Sequence, residues 1–149
     1  MLNMIPLDER VLVSAQIQPE DLPDIAKAGV GLVVNNRPDG EALTGQPTAG
    51  SIAQAASAQG VAFLDLPFTS GSLTPGHVAK FLAALNETEG QVLAYCRSGS
   101  RSSLLWGAAK VANGANVDDV LAQAQATGID LSQARMLIDS LGIAAAGER

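Results

Sequence analysis

The chain is poor in the residues that build metal sites, disulfides and nucleic-acid surfaces. Its 149 residues include one cysteine, Cys96, and one histidine, His77. A disulfide needs a pair of thiols, and a tetrahedral zinc site takes about four N or S ligands, so no metal and no cofactor is expected. Cations are scarce too: 9 Lys and Arg stand against 15 Asp and Glu, a net charge of −6. Such a surface repels nucleic acid and anionic membranes, which excludes both as partners. Long apolar runs are missing, since no stretch approaches the roughly 18–20 residues of a membrane-spanning helix. Met1 to Arg10 lacks the basic start and apolar stretch of a secretion signal, with Asp8 and Glu9 arriving early. A lone thiol and no export signal lead to the expectation of a cytoplasmic protein.

What is present suits one globular domain. Hydrophobic residues make up 47% of the chain and mean hydropathy is +0.19, which excludes intrinsic disorder. The 15 glycines show no collagen-like period. We expect a single domain over 1–149, with a core over about 7–112 and a helical extension over about 113–142. Short β-rich runs alternate with helical patterns, the signature of an α/β fold with a central, mostly parallel sheet. The strand candidates are Val11–Val13, Gly31–Asn35, Val61–Leu66 and Gln91–Tyr95, giving about four to five strands flanked by helices. Helical patterns cover Pro19 to Gly29, Ser51–Gln59, the stretch opened by Thr74-Pro75, Ser102–Ala112, Val117–Thr127 and Ser132–Leu141. Leu131, Met136, Leu137 and Leu141 form an apolar stripe that is core or a dimer surface. The tail from Ala144 onward has little to pack and is expected to fray.

The informative segment is Leu93-Ala94-Tyr95-Cys96-Arg97-Ser98-Gly99-Ser100-Arg101-Ser102. An apolar strand runs into the thiol, a short polar loop with a glycine follows, and a helix begins. That order places Cys96 at the C-terminal end of a strand, where open α/β sheets bind ligands. Loop amides, the helix N-terminus, Arg97 and Arg101 all favour a thiolate there, which makes Cys96 the candidate nucleophile. The alternative is a small buried apolar residue, but a strand seldom ends on such a run of polar residues only to pack a sulfur.

This segment resembles the active-site loop of rhodanese-type sulfurtransferases and, more distantly, of cysteine-dependent protein tyrosine phosphatases. With Val33-Val34-Asn35-Asn36-Arg37-Pro38-Asp39-Gly40-Glu41, it resembles the small bacterial domain of the beta-lactamase-hydrolase-like family. The resemblance runs from about Leu7 to Val111. It implies a dual-specificity-phosphatase-like fold with extra helices at the C-terminus, and a Cys loop that cradles an anion or a persulfide. Tyrosine phosphatases carry His before the Cys and five residues between Cys and Arg. Here Tyr95 replaces the His, and Arg97 to Ser100 leave one residue fewer, as in sulfurtransferases. The position where dual-specificity phosphatases carry their acidic Asp, about three residues after the strand-ending proline, holds Ser70.

These departures lead to a first expectation of a sulfurtransferase with a Cys96 persulfide intermediate, fed by thiosulfate or a small persulfide. The alternatives are phosphate monoester hydrolysis through a phosphocysteine, and a non-enzymatic anion-binding or redox-sensing module. A sulfide-oxidising partner protein is a further expectation from the resemblance. Expected catalytic residues are Cys96, Arg101 and Ser102, the last donating its hydroxyl to the sulfur. Arg97, Ser98, Gly99, Ser100, Arg37 and Asp39 are expected to bind substrate. Arg-Pro-Asp-Gly is also a good turn, so Asp39 serves the turn, the orientation of Arg37, or both. Asp39 or Glu41 stands in as acid if the chemistry is phosphatase chemistry, His77 reads as a surface residue, and Asp65 as structural.

Overall fold

The computed structural model describes residues 2–147. Five strands, β1 (Ile5–Pro6), β2 (Val11–Ser14), β3 (Val30–Asn35), β4 (Ala62–Asp65) and β5 (Gln91–Tyr95), form one sheet in the order β1-β2-β5-β3-β4. Only β1 is antiparallel, and it was not expected: two residues are too short to show a period. Six α-helices accompany the sheet: α1 (Leu22–Lys27), α2 (Ala49–Ala58), α3 (Pro75–Glu87), α4 (Ser100–Ala112), α5 (Val117–Gln125) and α6 (Arg135–Ala146).

Alternation along the buried strands divides the core into two. Val92 and Ala94 of β5 pack with Val34, Phe81, Leu105 and Trp106 under α3–α6. Leu93 and Tyr95 turn to the other face and pack with Val33, Ile25 and Ile52 beneath α1 and α2. At the start of β3 the pairing with β5 shifts between Val30 and Leu32, which puts these two residues in opposite clusters. Gly31 occupies the irregularity because a Cβ there would lie 2.7 Å from the Glu89 carbonyl oxygen.

The register has one consequence for chemistry. Ser14 pairs with Tyr95, Tyr95 with Asn35, and Asn35 with Asp65. Four parallel strands therefore stop in one row, and the loops after β2, β3, β4 and β5 emerge side by side. At the opposite end, the Arg10 guanidinium donates to the carbonyls of Leu85, Thr88 and Gly90 around the end of α3.

The C-terminal helices belong to the larger core rather than to an appendage. Ile138, Leu141 and Ala145 are buried, whereas Met136 and Leu137 are exposed at 80% and 42%. The expected stripe was thus out of phase: Leu131 and Leu141 face inward, and Ile138 takes the place assigned to its two neighbours. The end does not fray at Ala144 either, because α6 continues to Ala146 with Ala145 buried, while Glu148 and Arg149 lie outside the described residues. Helices α4 and α6 approach closely at Gly142, where a Cβ would come within 2.5 Å of the Val111 side chain and 2.8 Å of the Ala108 carbonyl oxygen. The substitution Gly142→Ala should lower unfolding free energy by about 1–3 kcal/mol in denaturant titration, because overpacking outweighs the gain in helix propensity.

Candidate active site

Cys96 follows the last residue of β5 and is 1% exposed. Its backbone N–H donates to the Ser14 carbonyl at 3.4 Å, and its Sγ accepts the Gly99 N–H at 3.1 Å. The loop turns back because Gly99 adopts φ +96°, in the left-handed region, as the residue before α4. A Cβ at Gly99 would also sit 3.4 Å from the Ser14 carbonyl oxygen, so glycine answers both a torsional and a spatial demand. Further bonds pin the loop: Gln16 N–H donates to the Arg97 carbonyl at 3.3 Å, and Ser103 Oγ donates to the Gly99 carbonyl at 2.8 Å.

Arg101, in the first turn of α4, is gripped by a carboxylate. Its Nη1 donates to Glu41 Oε2 at 2.8 Å and to the Phe68 carbonyl at 3.1 Å, and its Nη2 donates to Glu41 Oε1 at 2.9 Å. Those three bonds use three of the five N–H donors of a guanidinium, leaving Nε–H and one Nη2–H. Glu41 raises the Arg101 pKa, with smaller contributions from the Cys96 sulfur beside it. Two donors therefore remain for the sulfur and an incoming anion.

Glu41 is itself held from two sides. Arg37 Nε donates to Glu41 Oε1 at 2.9 Å, while Arg37 Nη1 donates to Gln16 Oε1 at 3.1 Å. The hydrogen bond from Arg101, then that from Arg37, against opposing desolvation, lowers the Glu41 carboxyl from 4.5 to about 2. Glu41 therefore stays ionised at neutral pH and fails as a proton donor. Its role as a clamp on two arginines was missed in the sequence, where only its acidity was considered.

The expected site residues fall into two groups. Arg97, Ser98, Ser100 and Arg101 line a cleft of about 480 Å³ together with Glu41, Thr69 and Ser70. Arg97 is exposed, and Ser98 Oγ donates to Ser100 Oγ at 3.1 Å. The other group supports from behind. Arg37, expected to bind substrate, is buried at 7% exposure, is bonded to Glu41 and Gln16 behind the clamp, and does not line the cleft. Asp39 Oδ1 accepts the Ala49 N–H at 2.8 Å at the start of α2, and Asp39 does not line the cleft where it was expected to bind substrate. Ser102 is fully buried, and its hydroxyl donates to Asn36 Oδ1 at 2.8 Å rather than to the sulfur. Asn36 Nδ2 in turn donates to the Leu66 carbonyl at 3.0 Å, so Ser102 ties the Cys helix to the loops after β3 and β4.

The remaining candidates are structural. Asp65 Oδ1 accepts from Asn35 Nδ2 at 2.8 Å. His77 is half-buried: its Nδ1 accepts the Thr74 N–H at 3.1 Å, and its ring lies 5.4 Å from that of Phe68. Among the described residues no group of three or more His, Cys, Asp or Glu is arranged to hold a metal ion.

Glu41 carries fewer protons in the folded chain than in the unfolded chain between pH 4.5 and about 2. Its contribution to stability is therefore complete above that window and is lost as pH falls through it. Denaturant unfolding followed across this range should show a slope that Glu41→Gln flattens, at the cost of lower stability near neutrality.

Comparison with known proteins agrees with this geometry. A candidate phosphatase of known structure from Neisseria meningitidis Z2491 is 36% identical and superposes with a TM-score of 0.80, covering 92% of this chain and 96% of that one. Tk-PTP, in its active form, has a TM-score of 0.72 at 19% identity, covering 98% of this chain and 97% of its own, which speaks to the fold alone. The Beta-lactamase hydrolase-like protein of Xylella fastidiosa (strain Temecula1) is 32% identical over 134 residues, which are 89% of this chain and 31% of that protein. The chain thus spans about a third of the length of that relative. The likeness to the Neisseria protein favours the phosphatase alternative, ranked second from the sequence, over the sulfur transfer ranked first. Residues 4–115 match the family described as Beta-lactamase hydrolase-like protein, phosphatase-like domain, and the chain belongs to that family.

Proposed function

We propose that the chain hydrolyses phosphate monoesters through a phosphocysteine on Cys96, and that it favours leaving groups stable as anions. One observation carries the reading: the Cys96 sulfur, the Gly99 amide and a clamped Arg101, with donors left for the sulfur and for an anion, lie together at the row of strand ends. Family membership supports phosphoryl chemistry at this position.

In the first step the Cys96 thiolate attacks phosphorus, an S–P bond forms, and the P–O bond to the leaving group breaks. Loop amides and the Arg101 guanidinium hold the equatorial oxygens as charge spreads over them, already oriented before the substrate arrives. In the second step water attacks the phosphocysteine, the S–P bond breaks, and phosphate leaves with the thiolate restored. The departing oxygen in the first step receives no proton from the protein. Glu41 is the only carboxylate among the described residues lining the cleft, and it is ionised between two arginines. Ser70, at the position of the phosphatase acid, is too weak an acid to replace it.

A second reading rests on that same lack of an acid and on the four residues between Cys96 and Arg101. In sulfur transfer the thiolate attacks the outer sulfur of a small donor, the S–S bond breaks, and a Cys96 persulfide forms. A thiolate or cyanide then removes the sulfur, and no step needs a proton donor.

Release of phosphate from p-nitrophenyl phosphate tests the first reading. Cys96→Ser should reduce it by at least about 10³-fold, as expected when a covalent nucleophile is removed. Arg101→Lys should cost about 10- to 100-fold, because an ammonium keeps the charge and loses the fork. Rates across a series of aryl phosphates should fall steeply as the phenol becomes more basic. Phosphate release that survives Cys96→Ser overturns the proposal. A gain of one sulfur mass on Cys96 after thiosulfate, without phosphate release, selects the second reading.

A further inference from the structure

The cleft above the Cys loop lacks an apolar wall. Every side chain lining it is charged or carries a hydroxyl. An aromatic leaving group such as a phenol ring offers a large apolar area, and pockets that recognise one are lined mainly by apolar side chains. The cleft instead holds a cation without a counter-charge. Arg97 lies within it, exposed, and its side chain makes no hydrogen bond or ion pair with any described residue. Glu41 does not balance it, being engaged by Arg37 and Arg101. The Ser70 hydroxyl, in the same cleft, is likewise uncommitted, whereas Thr69 Oγ1 is bonded to Ser72 Oγ at 3.0 Å. In a chain of net charge −6, an unpaired guanidinium beside the sole nucleophile marks where a second negative group would sit.

The missing proton donor imposes the same requirement independently. A leaving group that departs without a proton must be stable as an anion, and such an anion needs a cation waiting for it. We propose that Arg97 and Ser70 form a subsite for an oxyanion leaving group. The substrate is then an anhydride-type anion, in which the atom attacked by Cys96 is joined to a second oxyanion. This rests on the Cys96-centred reading above and deepens it. Two sources share the chemistry. With a phosphoanhydride, the thiolate attacks the terminal phosphorus, the bridging P–O bond breaks, and the second phosphate leaves with the electron pair at Arg97. With a sulfane-sulfur oxyanion such as thiosulfate, the thiolate attacks the outer sulfur, the S–S bond breaks, and sulfite leaves in the same place.

The test compares wild type, Arg97→Ala and Arg97→Lys on three substrates: inorganic pyrophosphate, thiosulfate with cyanide as acceptor, and p-nitrophenyl phosphate. Matched thermal unfolding of the variants establishes that the loop change leaves the fold intact. Arg97→Ala should lower kcat/KM for pyrophosphate or thiosulfate about 10- to 100-fold more than for p-nitrophenyl phosphate, the scale of a lost charge-assisted contact, and Arg97→Lys should recover part of the loss. Phosphate from pyrophosphate identifies the phosphoanhydride source, and thiocyanate identifies the sulfane-sulfur source. An equal loss on all substrates places Arg97 at the reacting group or in loop structure and overturns the subsite. Turnover of p-nitrophenyl phosphate alone overturns it as well, while leaving the phosphatase reading standing. Thiosulfate turnover without any phosphate release reverses that outcome: the phosphatase reading falls, and the subsite is judged on sulfite departure.

Discussion

Four parallel strands ending at one level are the constraint on which the rest depends. Residues distant in sequence, Gln16, Asn36, Arg37, Phe68 and Cys96, become neighbours because Ser14, Tyr95, Asn35 and Asp65 share one row. Each loop that leaves this row contributes something different. The β5 loop brings the sulfur and the amides, the β3 loop brings Arg37 and Glu41, and the β4 loop offers the Phe68 carbonyl to Arg101. The end of β2 and the loop after it pin the others, through Ser14 to Cys96 and through Gln16 to Arg97 and Arg37. A shift of one residue in any of these strands would point its last side chains to the opposite face and separate the parts.

The Glu41 clamp shows how one interaction can both prepare and limit a site. A bidentate carboxylate fixes the Arg101 plane, so its remaining donors are aligned before an anion arrives. Because Arg37 approaches the same carboxylate from the buried side, Glu41 gains a second cation and is held ionised far below neutrality. A group in that state accepts hydrogen bonds and cannot donate a proton. The interaction that aligns Arg101 thus also withdraws Glu41, the only carboxylate among the described residues lining the cleft, from acid catalysis, and the proposed chemistry is accordingly one whose substrates need no such help.

Much of this was legible in the sequence, and the parts that were not have physical reasons. The apolar run into Cys96, the glycine loop and the helix start are local signals, so the thiol and its loop could be placed from their own neighbours. The parallel sheet followed from alternating apolar runs and helical patterns. The clamp could not be read, since Glu41 and Arg101 are sixty residues apart and only the strand register joins them. The partner of Ser102 was hidden for the same reason: Asn36 lies sixty-six residues away, and a hydroxyl beside a sulfur in sequence need not face it in space. Asp39 illustrates a competition between local and distant demands. Its turn motif was visible, but the use of its carboxylate at the start of α2 depends on how the long loop from Gly40 to Pro47 closes. For α6 the apolar residues were numerous enough to fit two phases, and contact with Gly107 and Val111 of α4 selects the one that buries Ile138.

Loop size and rim chemistry act at different levels of the same site. The Cys loop is short and fastened at both ends, by Ser14 and Gln16 on the strand side and by Ser103 on the helix side. It cannot widen without breaking bonds to β2 or distorting Gly99, so the cup has a fixed capacity. On the proposed chemistry, a fixed cup limits what sits on the sulfur to a compact anionic group of one central atom. It says little about what that group was attached to. On the proposed subsite that information lies in the rim, where the Arg97 and Ser70 side chains stand exposed, and those side chains, unlike the Arg97 carbonyl, take no part in holding the loop together. Relatives with the same fold and nucleophile can therefore differ in substrate through a few rim positions, and the fold shared with phosphatases leaves the choice of leaving group open to those residues.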